Sequence, residues 1–416
     1  MSIDKTITSS QNLKKSTSVI LCFFFGHAVF HFMGQSFAVL LPSIQATFLV
    51  TPIQIGALIT TREIVSGFIA LPGGVMSDYY SRYRAHILTI CIVVFAAGWL
   101  IIAITPIYSA LYLGMLLIAA ASAIWHIPSL IELGSRFPEK RGTVFAIHGA
   151  GGSVGDIIGP VATGILLAYF SWREILSVYL VLPLLLAVWT FLLLMRLYRG
   201  SKEKQGIDPN TDGVSPSKQL KISWQILKTT DIWKVNIVAG LRSMCFTVLI
   251  TFLPIYMHDS GFSSQSIGFH FGLLWSIGLL VSPLMGYLSD RFGRKIVLVP
   301  ALLYSSTLVI SLAFWGKGGM FTLLIILLGF SIRSDYSLIN ATIIDMVKGR
   351  VENTMLGLLT FTRSLMGATA PIIAGALYQY QGMQSTLLFV GILFFMAGVI
   401  FAIVKIEPED ATQQRL

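Results

Sequence analysis

Residues 286–294 read GYLSDRFGR, and 212 places earlier residues 74–82 read GVMSDYYSR. Each copy closes a long apolar run and holds a glycine, a serine, an aspartate and an arginine in the same register. The same shift lays Pro42 on Pro254 and Gly56 on Gly268, and a shift of 211 lays Pro160 on Pro371 and Gly164 on Gly375. The chain therefore holds one unit twice, both copies running in the same direction. Parallel halves of this kind are a signature of secondary transporters.

What lies between these anchors is apolar. The 416 residues are 55% hydrophobic and 12% charged, with a mean hydropathy of +0.78, well beyond a soluble domain. Twelve runs can be marked, at about 17–41, 53–76, 85–104, 107–131, 142–169, 173–197, 232–257, 265–288, 296–315, 318–346, 354–379 and 384–405. At ~1.5 Å per residue, about 20 residues cross a ~30 Å hydrocarbon layer. The expected fold class is an all-α membrane protein: twelve transmembrane helices in two six-helix bundles. The net charge of +10 does not point to nucleic acid, because the lysines and arginines are dispersed among the apolar runs. Cys22, Cys91 and Cys245 fall inside runs without paired spacing, so no disulfide framework or thiolate metal site is expected. Neither is a cofactor.

Loop chemistry orients the chain. Arg82 and Arg84 follow span 2, Arg136, Lys140 and Arg141 follow span 4, Arg291, Arg294 and Lys295 follow span 8, and Lys348 and Arg350 follow span 10. The alternate loops carry only Arg173 and Lys317. The positive-inside rule puts both termini and every basic loop in the cytoplasm, with the chain in the cell (inner) membrane. The polar start MSIDKTITSSQNLKKSTS precedes a run too long for a signal peptide, so it reads as a tail before an uncleaved helix. The connection 198–231 is rich in Gly, Ser, Pro and charge, as a linker is. The expected organisation is a tail (1–16), a first bundle (17–197), this linker, a second bundle (232–405) and a tail (406–416), in a chain expected to be a monomer.

The repeated turns resemble the loop motif of the major facilitator superfamily, G-x-x-x-D-R-x-G-R-R. The second copy is close, with Gly286, Asp290, Arg291 and Arg294; the first keeps Gly74, Asp78 and Arg82. An acid and bases beside helix ends can act as a charge latch that holds one conformation. GDIIGPVATG in span 5 resembles the antiporter motif of the same superfamily through Gly155, Gly159, Pro160 and Gly164. Its small residues allow close helix approach, and its proline kinks the span. GHAVFHFMGQSFAVLLPSIQATF, QIGALIT, WHIPS and RGTVFAIHGAGGSVGDIIGP resemble the fosmidomycin-resistance type of exporter, mainly over the first half. Where such exporters more often have His-Pro, Ile127 separates His126 from Pro128.

The ionisable residues well inside the spans, away from their ends, are unevenly placed. Spans 1, 2, 4 and 5 hold His27, His31, Arg62, Glu63, His126, His148 and Asp156; spans 7, 8, 10 and 11 hold Arg242, His270, Arg333, Asp335 and Arg363. Away from their ends, spans 3, 6, 9 and 12 hold none. In facilitator transporters those third helices are peripheral and the others surround the cavity. A charge facing lipid costs several kcal/mol, so the filled helices are expected to turn these groups toward protein or water. Arg62 and Glu63, adjacent but ~100° apart around the helix, are each expected to have their own partner. A carboxyl screened from water can carry a proton near neutral pH, which makes Glu63 and Asp156, with His27, candidates for proton coupling. Arginine keeps its charge and offers a fork for carboxylate or phosphate, so Arg62, Arg242, Arg333 and Arg363, with Asp335, are candidates for substrate binding. Structural ion pairs are the alternative for every one of them.

His27 and His31, four apart, share a helix face with zinc-compatible spacing, but the sequence identifies no third ligand, and no metal is assigned. Trp99, Trp189 and Trp315, near span ends, read as interfacial anchors. No nucleophile–base set or nucleotide loop is present, which argues against an enzyme; GAGGSVG lies within a span and lacks a P-loop Lys-Ser/Thr. The expected function is proton-coupled export of a small anionic or amphipathic organic solute. The alternative is proton-coupled uptake of an organic anion. The expected partners are that solute, protons and the lipid bilayer, without nucleic acid.

Overall fold

A computed structural model describes residues 3–79, 83–200, 228–347 and 352–406, with side chains described over 16–69, 83–197, 228–347 and 355–406. A bilayer core offers no water to backbone N–H and C=O groups, so a chain this apolar satisfies them within helices. In chain order the helices are α1 Ile3–Phe48, α2 Pro52–Tyr79, α3 Arg84–Ile104, α4 Tyr108–Arg136, α5 Arg141–Leu166, α6 Trp172–Tyr179 and α7 Val181–Gly200. There follow α8 Thr230–Asp259, α9 Ser264–Phe292, α10 Arg294–Trp315, α11 Gly318–Ile332, α12 Ser334–Val347 and α13 Glu352–Ala402. Each expected span is helical over most of its length, with interruptions at Leu180 and Arg333 and helix ends short of 169 and 405.

Among the described residues, nine helical segments are long and apolar enough to cross a membrane. One of them, Met355–Ala402, turns at Gly382, whose φ of 81° a glycine adopts without a Cβ clash, and so holds two expected spans. Another, Gly318–Val347, is a single apolar stretch interrupted at Arg333, where α11 hands over to α12. The expected spans at 53–76 and 142–169 form α2 and α5; charge dilutes the first and glycine the second.

Packing sorts the chain into two compact units. One is drawn from Met1–Ile44, Pro72–Gly206 and Ser263–Gly272, the other from Gln45–Leu71, Ile207–Phe262 and Leu273–Leu416. Two segments thus pack away from their neighbours in sequence: the start of α2 and the start of α9. Glycines explain both. In the second unit, a Cβ on Gly56 would stand 2.2 Å from the Pro371 carbonyl oxygen, and one on Gly375 2.6 Å from that of Pro52. In the first unit, a Cβ on Gly268 would stand 2.4 Å from the Pro160 carbonyl oxygen, and one on Gly164 2.5 Å from that of Ser264. Only glycine permits backbones so close. Gly56 and Gly268, Pro371 and Pro160, and Gly375 and Gly164 are the pairs that the repeat superposes. The repeat is built as two equivalent crossings, α2 on α13 and α9 on α5.

The core of the first unit contains Phe30, stacked on Trp125 at 4.7 Å and against Phe95 at 4.1 Å. Trp99 joins this core at 1% exposure, edge-on to Phe37 and Phe95, so it is not the interfacial anchor its position suggested. Its neighbours on α3 are all apolar and the helix buries that face. Trp315, by contrast, is 65% exposed.

Candidate functional site

Close approach of α5 to α1 builds the first cluster. Gly151, Gly155 and Gly159 recur every four residues along one face of α5. A Cβ on each would stand 2.2, 2.2 and 2.5 Å from the carbonyl oxygens of Phe24, Ala28 and Phe32, themselves four apart on α1. Two of these glycines, Gly155 and Gly159, belong to the antiporter-type motif. Their effect here is to lay the backbones together, which carries His148 and Asp156 of α5 against His27 and His31 of α1.

Four histidines and one carboxylate then meet. His31 Nδ1 donates to Asp156 Oδ1 at 2.8 Å, and Asp156 is 3% exposed. His27 Nδ1 donates to the His148 carbonyl at 2.8 Å, and the two imidazoles stack 4.2 Å apart, 9° from parallel. His148 Nδ1 lies 3.2 Å from the Phe23 carbonyl. From α4, His126 turns Nδ1 to the Ser122 carbonyl at 2.7 Å and brings its ring 5.2 Å from that of His27. Sequence spacing gave two histidines and no third ligand. The fold supplies His126: one ring nitrogen from each of His27, His31 and His126 lies within 4.8 Å of the other two.

The second cluster surrounds the break at Arg333. Arg242, on α8 and 6% exposed, donates Nε to Asp335 Oδ1 at 2.7 Å and Nη2 to the Ile332 carbonyl. One guanidinium therefore satisfies a terminal carbonyl of α11 and the first-turn carboxylate of α12. Asp335 Oδ2 is buried without a hydrogen-bond partner. Arg363 donates Nη2 to Asn340 Oδ1 at 2.7 Å and lies 4.1 Å over the Tyr336 ring. Arg333 places its guanidinium 5.9 Å from the Trp275 ring. Arg62 and Glu63 belong to the same unit. The expectation that each has its own partner is not met: among the described residues neither side chain makes a hydrogen bond or a close ion pair, and Arg62 is the charge that acts on Glu63.

At the expected cytoplasmic ends, α3 and α10 each begin with an arginine that reaches a carboxylate on a later helix. Arg294 donates Nε to Asp345 Oδ2 at 2.7 Å and Nη1 to Ser289 Oγ at 3.1 Å, and it also pairs with Asp290. Gly293, at φ 98°, makes the turn that aims it. Arg291 instead meets the Tyr287 hydroxyl at 3.2 Å. A Cβ on Gly286 would meet nothing within 4 Å. Arg84 reaches Glu132 at 3.3 Å, and Arg136 shares that carboxylate, which is 1% exposed. Sequence reading missed Glu132 and Asp345. The first lies one residue past its expected span and the second inside one, yet both follow an arginine-led helix, which is the signal that could have found them. The side chains of Gly74 and Asp78, and Arg82 altogether, lie outside the described residues.

Comparison with known proteins agrees with this architecture. A sequence profile described as Major Facilitator Superfamily matches residues 23–330 and 235–415. An uncharacterized MFS-type transporter of Bacillus subtilis (strain 168), YfnC, is 26% identical and covers 87% of this chain and 88% of its own. The fosmidomycin resistance protein of Escherichia coli (strain K12) is 23% identical over 74% of each chain. The crystal structure of the nucleoside transporter NupG has the same fold, with a TM-score of 0.74 over 94% of this chain and 100% of that one, at 16% identity.

Proposed function

The chain belongs to the Major Facilitator Superfamily, whose members are multi-pass membrane transporters, and from that premise we propose that it exports a small anionic or amphipathic organic compound in exchange for protons. In this reading twelve helices form two bundles, 17–197 and 232–405, in the inner membrane, with both termini cytoplasmic. The monomer works by alternating access. The crossings of α2 on α13 and of α9 on α5 are the contacts that opening to the outside has to break.

One observation carries the substrate class. The second unit sets four membrane-depth arginines, Arg62, Arg242, Arg333 and Arg363, against two carboxylates, Glu63 and Asp335. Arg242 is committed to Asp335, and the surplus remains positive. In a low-dielectric cavity such a surplus is balanced by an anionic ligand, and guanidinium forks suit carboxylate or phosphate groups. Of the groups expected to move protons, Asp156 is held by His31 and His27 by the His148 carbonyl. Glu63 has no fixed partner among the described residues, so it is the carrier in this reading. Export follows the name of the fosmidomycin resistance protein, since removal of a toxic compound confers resistance.

The test is purified protein in liposomes under an imposed pH gradient, offered anionic, cationic and neutral solutes. Accumulation of an anion against an opposing proton gradient supports antiport. Movement of the anion together with protons replaces export by uptake, and a preference for cations removes the anion reading.

A further inference from the structure

We propose that His27, His31 and His126 form a binding site for a divalent first-row transition-metal ion, Zn²⁺ in particular, with one coordination position left open. The site stands independently of the direction or substrate of transport.

Three features of the first unit point to it. The first is convergence. His27 and His31 face one way from α1, His126 comes from α4, and one ring nitrogen from each lies within 4.8 Å of the other two. Tetrahedral zinc, with bonds of ~2.0–2.1 Å to imidazole nitrogen, needs these nitrogens about 3.4 Å apart. All three rings are half-buried, and their nitrogens have to draw together by up to about 1.4 Å to hold the ion.

The second feature is tautomer control. Nδ1 faces a backbone carbonyl, which only accepts, in His27 (His148 at 2.8 Å) and His126 (Ser122 at 2.7 Å), and in His31 it faces Asp156 Oδ1 at 2.8 Å, an acceptor when that carboxyl is ionised. Nδ1 therefore carries the hydrogen in each neutral ring, and the lone pair stands on Nε2. No hydrogen bond to Nε2 of any of the three is found among the described residues. Metal-ligating histidines are held in this way, with the far nitrogen on a carbonyl or carboxylate. Helix packing alone does not call for three imidazoles that each hold Nδ1 on an acceptor and bring a ring nitrogen within 4.8 Å of the other two.

The third feature is the surrounding wall and its charge. His148 stacks on His27, and Trp125 stacks on Phe30 and lies 5.3 Å from His126, which fixes the rings and keeps the floor apolar. The Asp156 carboxyl stands behind His31. A divalent ion on three neutral imidazoles would keep a net positive charge, so the open position suits an anionic fourth ligand. A donor set of nitrogen without oxygen selects against Mg²⁺ and Ca²⁺.

The experiment uses the full chain, purified without a polyhistidine tag, stripped with chelator and titrated with Co²⁺ and then Zn²⁺. One Co²⁺ per chain with a tetrahedral visible spectrum, displaced by Zn²⁺, is expected. His126→Ala should weaken binding at least ~100-fold, and Asp156→Asn, acting through His31, by about 10–100-fold. His270→Ala, outside the cluster, should leave it unchanged. Because an alanine variant can fail to fold, His31→Cys gives a positive signal: bound Co²⁺ should gain a thiolate charge-transfer band. Absence of a bound ion at micromolar metal, full affinity in a folded His126→Ala protein, or cobalt bound to His31→Cys without the sulfur band would each overturn the site.

Discussion

Gly155→Ala should do far more damage than Gly149→Ala, although both add one methyl group to the same helix. The added Cβ at position 155 would stand 2.2 Å from the Ala28 carbonyl oxygen, 2.7 Å from the Phe32 nitrogen and 3.0 Å from His31 Cβ. A carbon–oxygen contact settles at about 3.3 Å, so α1 and α5 must part by roughly 1 Å. The same shift lengthens the 2.8 Å bond between His31 and Asp156 beyond hydrogen-bond range. Overpacking costs about 1–3 kcal/mol, and loss of a buried charge-assisted hydrogen bond about 1.5–3 kcal/mol. Together these give a destabilisation of about 2.5–6 kcal/mol. At Gly149 a Cβ meets nothing within 4 Å, and the better helix former should be neutral or stabilising by up to ~1 kcal/mol. Both variants can be unfolded from mixed micelles with sodium dodecyl sulfate, following tryptophan emission. Equal midpoints for the two would refute the claim that glycine-mediated contact of α5 with α1 places the histidine cluster.

Four further outcomes follow from the second cluster and the topology. Removing either partner of the buried Arg242–Asp335 pair should cost about 3–5 kcal/mol, and the apolar double variant Arg242→Met with Asp335→Leu should regain most of it; additive losses in the same unfolding assay would show that the two do not act as a pair. Arg333→Gln should raise the apparent transport constant for an anionic substrate about 10–100-fold, with Arg333→Lys intermediate; unchanged transport in well-folded protein removes Arg333 from the site. Glu63→Gln should abolish accumulation driven by a proton gradient while counterflow exchange continues, and wild-type accumulation would take the proton from Glu63. Single cysteines at Ser201, Ser215 and Gly349 should react only with reagents that reach the cytoplasm, and those at Pro106 and Gly382 from outside; labelling of Ser215 in intact cells would invert the topology.

Which properties could be read from the chain alone follows from the range of the forces involved. Span positions, loop polarity and the repeat are local: a run of 20 apolar residues must become helix in a bilayer whatever surrounds it, and basic loops are retained by the membrane without regard to packing. The glycines and prolines shared by the halves were legible for the same reason, as matched letters. The pairings were not. His31 meets Asp156 across 125 residues and Arg242 meets Asp335 across 93, and nothing in the residues between them states that approach. Asp156 and Arg242 could be read as proton carrier, substrate ligand or structural partner, and only the packing of α5 on α1 and the break at Arg333 brought them to His31 and Asp335. Arg62 and Glu63 went the other way, from an expected partner each to no side-chain hydrogen bond among the described residues, with Arg62 the charge that acts on Glu63. The third histidine is the sharpest case. His27 and His31 share a helix face by period alone, whereas His126 reaches them because α4 and α1 pack side by side, a choice made by side chains that meet only once the helices have formed.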